Sequence, residues 1–324
     1  MKAIIYTKYG QPDVLQLKEM ERPTPKEDEV LIKVHAASVN AADWHLLTAD
    51  IFLVRLAMGL LKPKFNILGA DVAGRVEAVG KNVKQFKLGD EVFGDVFGHG
   101  GGSFAEYISA PENTLVLKPS NLSFEEAAAV PLAAVTALQG LRDQGQIQAG
   151  QKVLIQGAAG GVGTFAVQIA KSFGAEVTAV CSGRNAEMAR SIGADHVIDY
   201  AKEDFTQNGK QYDLILAVNG YHPIAAYKRA LAPQGIYVMA GGKPAQMFQA
   251  LLFGSLMSEK NGRKMKSVSA HSNQKDLLTV KELLEAGEVK SVIDKRFPLS
   301  EVPEAMRYLG AGHARGKVVI SVAK

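Results

Sequence analysis

The chain has one cysteine, Cys181, among 324 residues. One thiol forms no internal disulfide, so nothing points to a disulfide-stapled secreted fold. One thiolate also cannot build a four-cysteine zinc site, or one of two cysteines and two histidines. His35, His45 and His99 stand in no metal-ligand spacing with Cys181, and no metal site is expected. Long apolar runs are missing too. The most apolar stretches, residues 51–61 (interrupted by Arg55) and 247–257, fall far short of the roughly 20 residues a membrane-spanning helix needs. Residues 1–6 read as a strand, with no apolar core followed by a small-residue cleavage site, so the expected location is cytoplasmic. Excess charge of one sign is absent: 37 basic against 33 acidic residues leave +4, too little to make nucleic acid the main partner. No tyrosine has lysine four residues on, which removes the Tyr-x-x-x-Lys pair of short-chain reductases. There is no Gly-x-Ser-x-Gly, so the glycine cluster at 98–102 has no nucleophile elbow to serve.

What is present reads as two domains, in line with the length. The first third is rich in short strands, at residues 3–7, 15–19, 30–37, 71–79 and 91–96, separated by Gly/Pro/Asp turns. From Ser123, a helix N-cap completed by Glu126 as a capping box, the pattern changes. Helices are expected at 124–130 and 133–143. Strands at 152–156, 177–181, 196–198, 214–218 and 236–240 then alternate with helices at 163–173, 185–192 and 224–231. Continuous apolar strands alternating with helices predict an α/β fold with a doubly covered parallel sheet. The tail carries a strand at 264–269, a helix at 274–286, an extended stretch at 289–297, a short helix after Ser300 and a closing strand at 317–322. It is expected to return to the first domain.

The strongest motif is Val153-Leu154-Ile155-Gln156-Gly157-Ala158-Ala159-Gly160-Gly161-Val162-Gly163. An apolar strand runs into a glycine cluster and then into an apolar-periodic helix. Ala158, Gly160 and Gly163 hold the three places of a dinucleotide fingerprint. The helix N-terminus, over Ala159, Gly160, Gly161, Val162 and Gly163, offers N–H groups and a partial positive charge to a pyrophosphate. The end of the next strand decides the cofactor. An NAD site calls for Asp or Glu there, to hold the ribose 2′-hydroxyl. This chain has Cys181-Ser182-Gly183-Arg184-Asn185. Ser182 can donate to a phosphate and Arg184 can pair with it, which favours NADPH.

These residues, with Ala37-Ser38-Val39-Asn40-Ala41-Ala42-Asp43, Leu68-Gly69-Ala70-Asp71-Val72-Ala73-Gly74, Gly102-Ser103-Phe104-Ala105-Glu106-Tyr107, Val197-Ile198-Asp199-Tyr200 and Gly312-His313-Ala314-Arg315-Gly316-Lys317, carry a resemblance over nearly the whole chain. The chain resembles the zinc-independent quinone oxidoreductase branch of the medium-chain dehydrogenases/reductases, with zeta-crystallin and the organelle-envelope homologues. Zinc-dependent relatives carry Gly-His-Glu where this chain has Gly69-Ala70-Asp71. The resemblance implies a Rossmann doubly wound parallel sheet over residues 123–263. It implies an N-terminal β-rich GroES-like domain, residues 1–122, completed by the C-terminal tail, residues 264–324. It also implies a homodimer. By the same resemblance Asn40 lies near nicotinamide and substrate, Thr136 near the nicotinamide, Tyr200 near the adenosine 2′-phosphate, and Arg315 reaches the cofactor from the tail. The apolar insertion at 51–61, with residues 247–253, is expected either to line an apolar substrate mouth or to pack on the core.

The expected function is an NADPH-dependent, zinc-independent reductase that delivers hydride to a quinone or an α,β-unsaturated carbonyl (an enone or alkenal). No residue stands out as the general acid. Two other readings remain open. One is a non-catalytic NADPH-binding redox sensor or structural protein, which turnover would separate. The other is a zinc-free alcohol dehydrogenase acting on a saturated ketone.

Overall fold

The structure, a computed structural model, describes residues 1–241 and 262–323. The chain forms two compact units. The first comprises Met1–Ala133, His271–Glu285 and Ser291–Lys324, and the second Ala134–Ala270 and Ala286–Lys290.

In the first unit β1 (Lys2–Ile5) and β2 (Gln16–Glu19) form an antiparallel ribbon. The spine is β3 (Glu29–Val39), followed by two helices, α1 (Ala41–Thr48) and α2 (Phe52–Met58). Then come β4 (Asp71–Val79), β5 (Glu91–Asp95), β6 (Tyr107–Pro111) and β7 (Leu115–Leu117). β3 pairs antiparallel with β4 and β6, and β5 lies between β4 and β7. Alternate residues of these strands, among them Val30, Ile32, Val34, Val72, Val76, Val92 and Ile108, form one core cluster, as a period of two requires. Helix α3 (Phe124–Ala128) begins at the predicted box: Ser123 Oγ accepts from the Glu126 N–H (3.2 Å), and the Ser123 N–H donates to Glu126 Oε2 (2.9 Å). It packs on β3 and β4, in the first unit.

The second unit opens with the C-terminal part of α4 (Pro131–Leu138), which runs on as a wide π turn over Gln139–Gln144. It then alternates: β8 (Lys152–Gln156), α5 (Gly161–Ser172), β9 (Glu176–Cys181), α6 (Ala186–Ser191), β10 (His196–Asp199), β11 (Tyr212–Ala217), α7 (Ile224–Ala230), β12 (Leu231–Met239) and β13 (Lys264–Ser267). All six strands are parallel, in the order β10-β9-β8-β11-β12-β13. This is the strand order of dinucleotide-binding sheets. The central strands β8 and β11 are apolar along their middles, as strands covered on both faces are: Leu154, Ile155, Leu214, Ile215 and Leu216 are all fully buried.

The chain then returns with α8 (Gln274–Glu285), β14 (Ile293–Pro298), α9 (Val302–Gly310) and β15 (Lys317–Ser321). β15 adds antiparallel to β3, with Val318 opposite Val39, and β14 adds parallel to β15. The tail completes the first sheet, as expected. One expected element belongs elsewhere: the strand from Lys264 pairs with β12, with Lys264 opposite Ile236, and the units divide after Ala270. A strand of four residues reads alike in either sheet, so its partner assigns it. Among the described residues no helix is long and apolar enough to cross a membrane.

Candidate cofactor and active site

The strand order reverses between β8 and β11, and the crevice outside the carboxyl ends of such strands is where ligands bind. β8 ends at Gln156 and the glycine turn follows. Gly157 sits at φ +79°, a left-handed conformation that favours glycine. The N–H groups of Gly157 and Ala158 donate to Val180 O (3.1 and 3.2 Å), which ties the turn to β9. A methyl placed on Gly163 would lie 2.1 Å from Gly157 O, so only glycine lets α5 pack this close. A methyl on Gly160 would meet only Gly157 O, at 3.6 Å, so that side of the turn is open. Gly160 is the N-cap of α5 and has no side chain to cap it. The first-turn N–H groups of this 12-residue helix lack intrahelical acceptors, and no acidic side chain stands in that turn. Gly160, Gly161 and Val162 are partly exposed there, while Ala159 and Gly163 are buried. This cradle fits a pyrophosphate.

Ser182 ends the next strand. Asn185 Nδ2 donates to Ser182 Oγ (3.1 Å), which leaves the serine hydroxyl hydrogen for another acceptor. Among the described residues Asn185 Oδ1 is buried with no hydrogen-bond partner. Arg184 is exposed beside it. Tyr200 follows β10 on the adjacent strand. Its N–H donates to Cys181 O (3.2 Å) and its side chain is exposed. The sequence reading missed Asp199. A methyl on Gly183 would lie 2.5 Å from Asp199 Oδ2, so this carboxylate packs against the Ser182-Gly183 turn. The acid absent from the end of β9 stands at the end of β10. Cys181 is buried, and burial pushes its thiol up, which makes it a poor nucleophile.

Thr136 is buried in α4 of the second unit. Asn40 and Arg315 belong to the first. Arg315 is exposed, and its backbone N–H donates to Asp294 Oδ2 (2.8 Å). Asn40 lies in a buried polar cluster. It caps α1: its N–H donates to Asp43 Oδ2 (2.8 Å), while Asp43 Oδ1 accepts from the Gly69 N–H (3.0 Å). Asp71 Oδ2 accepts from Ser38 Oγ (2.6 Å), Asn40 Nδ2 (2.9 Å) and Lys317 Nζ (3.3 Å). Asp71 Oδ1 accepts from the Leu132 N–H (2.8 Å). Lys317 Nζ donates to Asn40 Oδ1 (2.5 Å). Asp95, opposite Asp71 in the sheet, accepts from Ser272 Oγ and from the Phe97 N–H (2.8 Å). Burial pushes the Asp43 carboxyl up to about 7, against the pull of two N–H groups. Burial and the Asp71 charge likewise raise Asp95 to about 7.

Ala70 is fully buried at the place where zinc-dependent relatives carry histidine. His35 stacks on Phe124 (centroids 4.2 Å apart) and His45 bonds Asp50 (2.8 Å). Among the described residues no group of three or more His, Cys, Asp or Glu could hold a metal ion. The insertion at 51–61 is helical over Phe52–Met58. Met58 helps line a cavity of only about 10 Å³ with Tyr6, Leu46, Leu68 and Phe97, too small for a substrate. Residues 247–253, its expected companions, lie outside the described residues.

A family model described as alcohol dehydrogenase GroES-like domain matches residues 26–120, and one described as zinc-binding dehydrogenase matches residues 192–320. The chloroplast envelope quinone oxidoreductase homolog of Arabidopsis thaliana is 34% identical, over 99% of this chain and 98% of that protein. The chain is a medium-chain dehydrogenase/reductase. The 2-methylene-furan-3-one reductase of Solanum lycopersicum is 38% identical to this dehydrogenase/reductase, over 99% of it and 79% of that protein. The solved quinone oxidoreductase from Coxiella burnetii superposes with a TM-score of 0.88 at 31% identity, covering 100% of this chain and 99% of that one. The α/β fold with a Rossmann-like domain and an N-terminal GroES-like domain is that of the family.

Proposed function

We propose that this oxidoreductase is an NADPH-dependent, zinc-independent reductase of quinones or α,β-unsaturated carbonyls. The observation that carries it is the open glycine turn at the β8–β11 reversal, with Ser182 and Arg184 at the end of the next strand. The relatives' names support the acceptor class, since quinone oxidoreductases and an NADPH-dependent alkenal/one oxidoreductase of Arabidopsis thaliana are among them. Ala70 and the single cysteine support work without zinc. When bound, the reduced nicotinamide supplies hydride. The chain's own part is to bind and orient. Residues 159–163 hold the pyrophosphate. Ser182 and Arg184 pair with the 2′-phosphate, Tyr200 packs by the adenosine, and Arg315 reaches in from the tail. Thr136 and Asn40 stand by the nicotinamide, and Asn40 also faces the substrate. A conjugated acceptor spreads the developing charge onto an oxygen, so it asks for a hydrogen-bond donor and not strictly for a metal. On this reading two copies form the working molecule, and light scattering should then give twice the 34.7 kDa chain mass.

The test is consumption of NADPH and NADH by chelator-treated protein, offered a small quinone, a medium-chain 2-alkenal and a saturated ketone. NADPH-selective turnover of the quinone or the alkenal is expected. Faster reduction of the ketone would make the protein a zinc-free alcohol dehydrogenase. NADPH binding with no turnover would make it a binding protein.

A further inference from the structure

Asn40, Asp71 and Lys317 form an arrangement that folding alone does not call for. Lys317 and Asp71 are an ion pair with side chains 3% and 0% exposed. Buried pairs of this kind add little to stability against an apolar replacement, because desolvation offsets the attraction. Here the pair grips one amide from both ends. Lys317 carries donors only and meets Asn40 Oδ1 at 2.5 Å. The Asp71 carboxylate, an acceptor, meets Asn40 Nδ2 at 2.9 Å. Turning the amide over would set its NH2 against an ammonium and its oxygen against a carboxylate. The orientation is therefore fixed. The lysine also draws electron density from the amide oxygen, which makes the Nδ2 hydrogens stronger donors. One of these hydrogens serves Asp71. The other meets Ser38 O at 3.4 Å, the longest contact in the cluster and the easiest to exchange for another acceptor.

We propose that Lys317 and Asp71 are positioning residues that lock the Asn40 amide so that its second Nδ2–H can leave the long Ser38 O contact for a carbonyl oxygen of the acceptor, where negative charge collects as hydride arrives. This rests on the reading above, in which Asn40 faces the substrate. The lock moves no atom and no electron. It holds a donor in place before the reaction, so that none need be turned during it. Lys317 reaches Asn40 because β15 lies antiparallel to β3 with Val318 opposite Val39, so that the residue before Val318 stands beside the residue after Val39.

The experiment uses the full chain. Replacing one member alone strands a buried charge, so the decisive variant is the double Lys317→Met, Asp71→Asn, which removes both charges. It should melt within a few degrees of wild type and bind 2′-phospho-ADP-ribose equally well. Its kcat with quinone or alkenal should fall roughly tenfold to hundredfold, with the KM for NADPH within about twofold. A second readout needs no turnover: binding of 4-nitrophenolate, an oxyanion probe, followed by its absorbance. Wild type should bind it, and the double variant and Asn40→Ala should both lose roughly tenfold. A double variant with wild-type kcat and phenolate affinity, beside an impaired Asn40→Ala, would leave the pair a structural feature and overturn the lock. Wild type that fails to bind the phenolate overturns it as well. Full activity in Asn40→Ala, or no turnover by wild type, brings down the functional reading itself, which is a different result.

Discussion

A 2′-phosphate carries more negative charge than the hydroxyl it replaces, so a carboxylate nearby discriminates between the two cofactors by charge alone. Asp199 lies against Gly183, between Ser182 and Arg184, with one oxygen taken by the Ala201 N–H (3.1 Å). It would oppose the NADPH preference proposed for Arg184. Asp199→Asn should therefore raise the ratio of 2′-phospho-ADP-ribose to ADP-ribose affinity by about two- to fivefold, the size of a partly exposed charge effect. Calorimetric titration of both ligands checks it, and an unchanged ratio would remove Asp199 from the specificity account. A strand-by-strand reading looks for an acid at the end of β9 and finds Ser182. That Asp199 stands opposite Cys181 is a fact of sheet register. Lys317 and Asp71, 246 residues apart, escaped for the same reason. The residues that local spacing points to, Gly160, Gly163, Ser182 and Arg184, sit within one strand–turn–helix or at the end of the strand beside it.

The glycine turn separates folding from binding at the scale of an element. At Gly163 an added methyl meets the Gly157 carbonyl oxygen at 2.1 Å, backbone that cannot step aside. Gly163→Ala should cost about 1–3 kcal/mol of stability, as overpacking does. At Gly160, with φ −85° and open space on its outer side, alanine fits the fold. Gly160→Ala should cost about 1 kcal/mol or less, yet weaken NADPH roughly tenfold, since the methyl would stand where the pyrophosphate is proposed to be held. Denaturant melts and a fluorescence titration separate the two effects. Equal effects in both variants would contradict the turn's assignment. The same scale shows why some elements were legible and others not. Helix α5 and its strands announce themselves by apolar period and glycine placement. Helix α1 does not: its buried residues are Asp43 and Leu47, four apart on one face, and a buried acid breaks the apolar stripe that marks a helix. Its N-terminus could have been found from Asn40 with Asp43 three residues on, an acceptor pair of the capping-box kind.

Stability of the whole molecule sums ionisations over both units, and the buried carboxyls bend that sum in one direction. Asp43 and Asp95 are raised to about 7 from an ordinary 3.8, chiefly by burial. In the pH 4–7 window the folded chain holds protons at these sites that the unfolded chain has released. Their contribution is therefore complete below about pH 4 and is lost as pH rises through 7. His35 works against this, since burial holds its imidazole below its usual value and favours the neutral form. Glu29, Glu91 and Asp195, lowered by the hydrogen bonds and cations around them, act only at more acid pH. Subtraction isolates one site from this sum. Asp95→Asn keeps an acceptor for the Phe97 N–H and lets the Ser272 hydroxyl turn to accept, but it cannot ionise. Wild type should lose stability relative to this variant by about 2 kcal/mol between pH 5 and pH 8. The reading is the difference between their urea midpoints at the two pH values, at fixed ionic strength. A difference that stays flat would mean that the Asp95 carboxyl ionises with an ordinary pKa despite its burial beside Asp71. A difference of opposite sign would mean that the Lys317 ammonium compensates both carboxylates at once, and the cluster would then hold its charge through neutral pH.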